Sequence, residues 1–230
     1  MAGINSQPGR DCPRCPRLAA FRKTWRAKEP TWFNAPVPSF GPIDARLLIV
    51  GLAPGLQGAN RTGRPFTGDY AGVLLYDTLV KFGFARGDYG AHPDDGLELV
   101  DCRITNAVRC VPPQNKPMPE EIKTCRDFLV PTVDEMKKLQ AIVALGRIAH
   151  ESIVRALGGK LSDVAFGHGS RHQLGPIALF CSYHCSRYNT NTRVLTPEMF
   201  RRVFAIVRRY LDAESQAITS SAFLSGGKTG

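Results

Sequence analysis

Three stretches of this 230-residue chain concentrate the residue types that do chemistry. The first, GLAPGLQGANRTGRPFTGD at residues 51 to 69, holds five glycines in nineteen positions and carries Phe66 and Asp69 at its end. Such glycine density lets backbone approach a ligand closely. The second is Asn106, near the end of the apolar run CRITNAV. The third, SYHCSRYNTNT, delivers His184, Arg187, Tyr188 and Asn189 just beyond another apolar run. An amide, an imidazole, a carboxylate and an aromatic ring together suit a planar heterocycle. Taken singly, each has an ordinary structural reading: an Asn satisfying backbone, an Asp capping a turn or helix, a core histidine. Their common placement at strand ends, where open α/β sheets bind ligands, is what points to a site.

Two alternatives fail on residue type. Gly58 to Pro65 reads G-x-x-x-x-G-R-P, which nearly matches a phosphate-binding loop. However, Arg64 stands in for the lysine and Pro65 for the magnesium-binding hydroxyl, and the proline removes an N–H, so a nucleotide hydrolase is not expected. His184 and Cys185 are adjacent, and neighbouring strand residues point to opposite faces, so they do not form a nucleophile–base pair.

Seven cysteines is an odd number in a chain long enough to build its own core, which favours metal ligation over a disulfide framework. Cys12 and Cys15 form a C-x-x-C, and Cys110 and Cys125 lie on either side of a proline-rich loop, VPPQNKPMP. Four thiolates can close a tetrahedral zinc site or a cubane iron–sulfur site, and spacing does not choose between them. Plain burial of Cys110 and Cys125 is equally compatible with it. Cys102, Cys181 and Cys185 sit in or just after apolar runs and read as small hydrophobes.

The elements that must position these groups follow from periodicity. Residues 46 to 50, 102 to 108, 141 to 145 and 177 to 183 are continuously apolar, the signature of strands buried on both faces of a parallel sheet. Helices are predicted at 70 to 83, at 119 to 138 with a kink or split at Pro131, at 147 to 157, and from Thr196 to about Leu211. Residues 214 to 230 are small and polar and are expected to form a loose tail, leaving one domain over 1 to 213. No run is apolar enough to span a membrane, and the N-terminus lacks a secretory signal, so an intracellular protein is expected. The net charge is +10, and residues 1 to 28 carry seven Lys and Arg against one Asp. A polyanionic partner is the leading inference from that charge.

With these motifs assembled, the chain resembles the family 5 uracil-DNA glycosylases, the UDGb type. GLAPGLQGANRTGRPFTGD and SYHCSRYNTNT resemble the two principal family motifs, and TNAVRC at 105 to 110 and the four cysteines match as well, covering roughly residues 12 to 210. The resemblance implies an α/β/α sandwich around a four-stranded parallel sheet. It also implies a structural [4Fe-4S] cluster on Cys12, Cys15, Cys110 and Cys125 that anchors a basic N-terminal segment over 1 to 45. Asp69 would assist water or stabilise the developing cation, and His184 the leaving base. Gly51, Ala53, Phe66 and Asn106 would hold the base, with Phe66 stacking on it and Asn106 reading its edge. Arg187, Tyr188 and Asn189 would enter DNA. The implied activity is release of uracil and related deaminated bases from double- or single-stranded DNA, by a monomer in a prokaryotic cytoplasm, associated with the nucleoid. Leu52 stands where other glycosylase families place a polar catalytic residue, which the resemblance to family 5 implies, since that family relies on the later Asp; Gln57 departs from a common His and Arg193 from a common Gly. A non-catalytic iron–sulfur DNA-binding module is the alternative, and it would have no use for Asp69.

Overall fold

The computed structural model describes residues 6–225, with side chains through 216. In chain order the elements are α1 (Pro16–Lys28), β1 (Leu47–Gly51), α2 (Ala59–Thr62), α3 (Tyr70–Lys81), β2 (Ala85–Arg86), β3 (Glu98–Leu99), β4 (Cys102–Asn106), α4 (Pro119–Glu135), β5 (Ala141–Leu145), α5 (Arg147–Ala156), β6 (Arg171–Leu174), β7 (Ile177–Ser182), α6 (Arg187–Asn191) and α7 (Pro197–Ser225). The fold is α/β. Its main sheet has the order β4-β1-β5-β7-β6, with β2 and β3 as a separate short ribbon. Within the main sheet all pairs are parallel except β6 with β7, and the β2–β3 ribbon is antiparallel.

The four apolar runs are the four parallel strands. Alternate residues of β1 serve opposite layers: Leu47 and Ile49 pack with α3 and α7 through Leu75, Leu79, Phe200 and Phe204. Leu48 and Val50 pack with α4 and α5 through Leu129, Ile153 and Val154. Helices on both faces bury every residue of β1, β5 and β7 and all of β4 but the half-buried Arg103, which is why these four strands read as hydrophobic runs.

The sheet is five-stranded, not four-stranded. The extra strand β6, RHQL, lies at the edge with no residue fully buried, so it carries no apolar run. Three further expectations are corrected. Helix α4 continues unbroken through Pro131. Helix α1 forms from a segment read only as basic, with Pro16 in its first turn and Leu18 as its buried anchor. The expected loose tail is helical as far as Ser225, since α7 runs well past Leu211; residues 226–230 of that tail lie outside the described residues, as do residues 1–5 of the N-terminal segment.

Helix α1 also changes the reading of the N-terminal charge. Arg17 makes a bidentate pair with Glu121 at 2.8 and 2.7 Å, Arg14 pairs with Asp127, and Arg26 with Asp11. Arg22 is buried and donates to Cys110 Sγ and to the Cys12 carbonyl. Much of the +6 of residues 1 to 28 therefore fastens this segment to the domain rather than waiting for phosphate. Arg193 has φ 59°, the left-handed region that glycine adopts at no steric cost, so the departure from Gly there is borne by backbone strain.

Candidate active site

Parallel register sets the floor of the site. Gly51 ends β1 directly beside Asn106, which ends β4. A Cβ on Gly51 would lie 2.5 Å from Asn106 Oδ1 and 2.6 Å from Phe66 Cζ, so only glycine lets the amide and the ring meet here. Asn106 is 3% exposed and its Oδ1 has no hydrogen-bond partner. A buried orphan acceptor is costly and calls for a ligand or water to satisfy it.

A cleft of about 1000 Å³ opens next to these residues, with Gly51, Phe66 and Asn106 buried behind its wall and not among the residues that line it. Leu52, Ala53, Gln57, Asp69, His184 and Arg187 line it, joined by Tyr70, Val73 and Asn115, which no sequence signal singled out. Asp69 is both a helix cap and a cleft residue. Its Oδ1 accepts from Gly72 N at 3.3 Å at the start of α3, as a capping Asp does. Its Oδ2 faces the glycine loop, where a Cβ on Gly55 or Gly58 would come within 2.9 or 2.5 Å of it. The glycines thus clear space for one carboxylate oxygen while the other is held fixed. Burial pushes the Asp69 carboxyl above its ordinary pKa.

His184 follows β7 and stacks on Phe66, with ring centroids 5.8 Å apart and planes inclined by 26°. The residue is partly accessible from the cleft, yet protein encloses the imidazole enough that burial brings its pKa down to about 4. The ring is therefore neutral at physiological pH and can donate one N–H without carrying charge. Cys185 turns the other way into the core, its Sγ 3.5 Å from the Ala71 carbonyl, and burial raises its thiol pKa. The two side chains do face different surroundings, but both follow the end of β7 at Ser182, so strand alternation is not the reason.

The rim segment forms α6. Arg187 lies over the Tyr70 ring at 5.2 Å, Tyr188 is 74% exposed, and Asn189 donates from Nδ2 to the His184 carbonyl at 2.8 Å. Asn189 therefore braces the backbone at His184.

A buried clamp that sequence reading missed holds the loop carrying Phe66 and Asp69. Arg64 pairs with Asp95 through two contacts of 2.7 and 2.6 Å, both side chains 5% exposed, and Phe40, Tyr76 and Tyr89 surround its guanidinium. Arg64 Nε donates to Thr67, Tyr76 OH to the Pro65 carbonyl, and Tyr89 OH to the Phe66 carbonyl. Phe66 itself has φ 54°, a strained backbone state for a non-glycine residue that costs about 1–3 kcal/mol and persists only where surroundings enforce it. A Cβ on Gly72 would strike the Phe66 carbonyl oxygen, so α3 packs directly on this strained turn. The one available signal was Arg64 itself, a charge inside a glycine loop that must find a carboxylate once buried.

Cys12, Cys15, Cys110 and Cys125 are not in the cleft. They surround one separate enclosed pocket, with Leu18, Val108 and Phe128 packed about them. Arg22 donates to Cys110 Sγ at 3.3 Å and the Arg109 N–H to Cys125 Sγ at 3.2 Å. Burial raises the Cys110 pKa to about 12 and that of Cys125 to about 11. Such thiols ionise when a metal supplies the compensating charge, and the donors aimed at their sulfurs suit thiolate ligands.

A sequence model of the uracil DNA glycosylase superfamily matches residues 38–208, a span that holds the whole parallel sheet and the cleft at its carboxyl edge, and this chain belongs to that superfamily. Within it, the chain is 43% identical to the type-5 uracil-DNA glycosylase of Thermus thermophilus over 205 residues, 86% of this chain and 93% of that protein. It is 38% identical to the type-5 enzyme of Pyrobaculum aerophilum over 197 residues, 84% of this chain and 86% of the relative. A type-4 uracil-DNA glycosylase of the same archaeon is 35% identical over 67% of each chain. No helix among the described residues is long and apolar enough to cross a membrane.

Proposed function

We propose that this chain releases uracil and related deaminated bases from DNA by hydrolysing the N-glycosidic bond, the step that opens base excision repair. The observation that carries the reading is the two-sided placement of Asp69, with one oxygen immobilised by Gly72 and the other facing a cleft it shares with His184. A non-catalytic DNA-binding module would not pay for burying that carboxylate.

A base inside a duplex is out of reach, so its nucleotide turns into the pocket, at a cost of about a few kcal/mol that is least for mispaired or damaged bases. Phe66 offers a ring face to the flipped base and the Asn106 amide meets its polar edge. As the glycosidic bond breaks, positive charge grows on the deoxyribose and negative charge on the departing base. The Asp69 carboxylate opposes the first and orients the attacking water, while the neutral His184 donates toward the second. Arg187 and exposed Tyr188 stand where the strand would be held open, and Asn189 keeps His184 in place.

A duplex carrying a single labelled uracil tests the activity. Free uracil and an abasic strand should appear together; tight binding with every base retained would support the binding-module alternative instead.

We further assign Cys12, Cys15, Cys110 and Cys125 as ligands of a [4Fe-4S] cluster. When bound, the cluster supplies a cross-link among the α1 end, the loop after β4, and α4. Anaerobically purified protein should be brown and contain about four irons and four acid-labile sulfides per chain. Cys110→Ser should lose iron and lower the melting temperature together, because ligation is coupled to folding. Iron-free protein with undiminished stability would overturn the assignment.

A further inference from the structure

His150 on α5, His172 on β6 and Cys181 on β7 form a second cluster of metal-ligating side chains, apart from both the cleft and the four cysteines. Their ligand atoms all lie within 4.8 Å of one another. His150 is 2% exposed, and neither of its ring nitrogens has a hydrogen-bond partner. The backbone at Val164 is near enough to bias the charge of that ring but outside hydrogen-bonding geometry. Two orphan nitrogens on one buried imidazole are rare, because each forfeits its solvation without replacement. The other two groups are prepared differently. His172 Nε2 lies 2.8 Å from the Ala165 carbonyl, which selects the tautomer with the proton on Nε2 and leaves the Nδ1 lone pair to be offered. Cys181 is fully buried in the sheet and its sulfur can serve once the proton leaves.

We propose that His150, His172 and Cys181 bind one zinc ion, with water from the half-exposed His172 side as the fourth ligand. Two imidazoles and a thiolate with no carboxylate suit a borderline-soft divalent ion and not magnesium or calcium. Tetrahedral zinc with these ligands needs donor separations of roughly 3.3 to 3.8 Å, within reach of small side-chain rotations from the observed spread. The ion would supply the partner that His150 lacks. It would also tie α5 to the β6–β7 hairpin, whose edge strand has β7 as its single strand neighbour, and β7 ends two residues before His184. Binding expels the Cys181 thiol proton to solvent, leaving a thiolate on the metal.

The test uses full-length protein with its iron already loaded, dialysed against micromolar zinc chloride and then against metal-free buffer. Wild type should retain about one zinc per chain in addition to iron, and zinc should raise its melting temperature. Cobalt(II) substitution should give a thiolate-to-metal absorption band. His172→Ala, a half-exposed position that should not disturb folding, should weaken zinc binding by at least about tenfold with iron content unchanged. Cys181→Ala should abolish the cobalt–thiolate band. Wild type that retains no zinc, or both variants binding zinc and cobalt as wild type does, would overturn the proposal. Iron content and uracil release, read in the same samples, report separately on the cluster assignment and the glycosylase activity.

Discussion

Asp69→Asn is expected to slow single-turnover uracil release on the order of a hundredfold or more, the usual loss when one electrostatic group aimed at a transition state is removed. Affinity for uracil-containing duplex should be nearly unchanged, because Asp69 is largely enclosed whereas Arg187 and Tyr188 are exposed. The substitution separates chemistry from folding cleanly. Asparagine is as good a helix cap as aspartate, so the bond from Gly72 and the start of α3 survive. The sign of the stability change can be worked out as well. Burial raises the Asp69 pKa, so the fold favours the protonated form, and the ionised carboxylate lowers stability as pH rises through that raised value. The neutral amide removes that penalty, and the variant should melt no lower than wild type at neutral pH. A variant that excised uracil at full rate but bound duplex weakly would reduce Asp69 to a loop cap.

Asp95→Ala should cost about 3–5 kcal/mol of folding stability, the range for stripping one partner from a buried ion pair. Replacing Asp95 leaves the Arg64 guanidinium charged and 5% exposed among Phe40, Tyr76 and Tyr89. It also frees the backbone N–H groups of Gly90 and Leu97, which Asp95 accepts at 2.9 and 3.0 Å. Pairing with Arg64 holds the Asp95 pKa far below the usual carboxylate range, so in wild type this stabilisation is complete at neutral pH and is lost progressively as pH falls below the ordinary carboxylate value. Denaturant unfolding at neutral pH measures the loss. The Arg64→Leu, Asp95→Leu double variant, which leaves no buried charge unpaired, should recover most of it. If the single and double variants were equally unstable, the pair would not be what holds the Phe66 turn.

Legibility from sequence follows the range of the interaction concerned. Strands β1, β4, β5 and β7 announce themselves because burial on two faces forces a run of apolar residues, and Asp69, Asn106 and His184 because they follow such runs. Strand β6 is silent, since an edge strand half open to solvent tolerates RHQL. Helix α1 was hidden because its polar residues bind to α4 and to cysteines about a hundred residues away, as Arg17 does to Glu121. The Arg64–Asp95 clamp spans 31 positions, and nothing local distinguishes Asp95 from Asp94, which is exposed. Charge counting misled for the same reason: a cation's partner is set by the fold, and several of the first 28 residues spend their charge internally.

The central claim is that a buried, ionised Asp69 carries the chemistry, and the pH dependence of single-turnover uracil release tests it most directly. The wild-type rate should fall as pH is lowered through a limb displaced upward from the ordinary aspartate value, because protonating Asp69 removes the charge that opposes the sugar cation. His184 remains neutral until pH nears about 4, so it does not produce that limb. The limb should vanish in Asp69→Asn, whose low residual rate should be flat across the same interval. A wild-type rate independent of pH there, or a limb that persists in Asp69→Asn, would contradict the account.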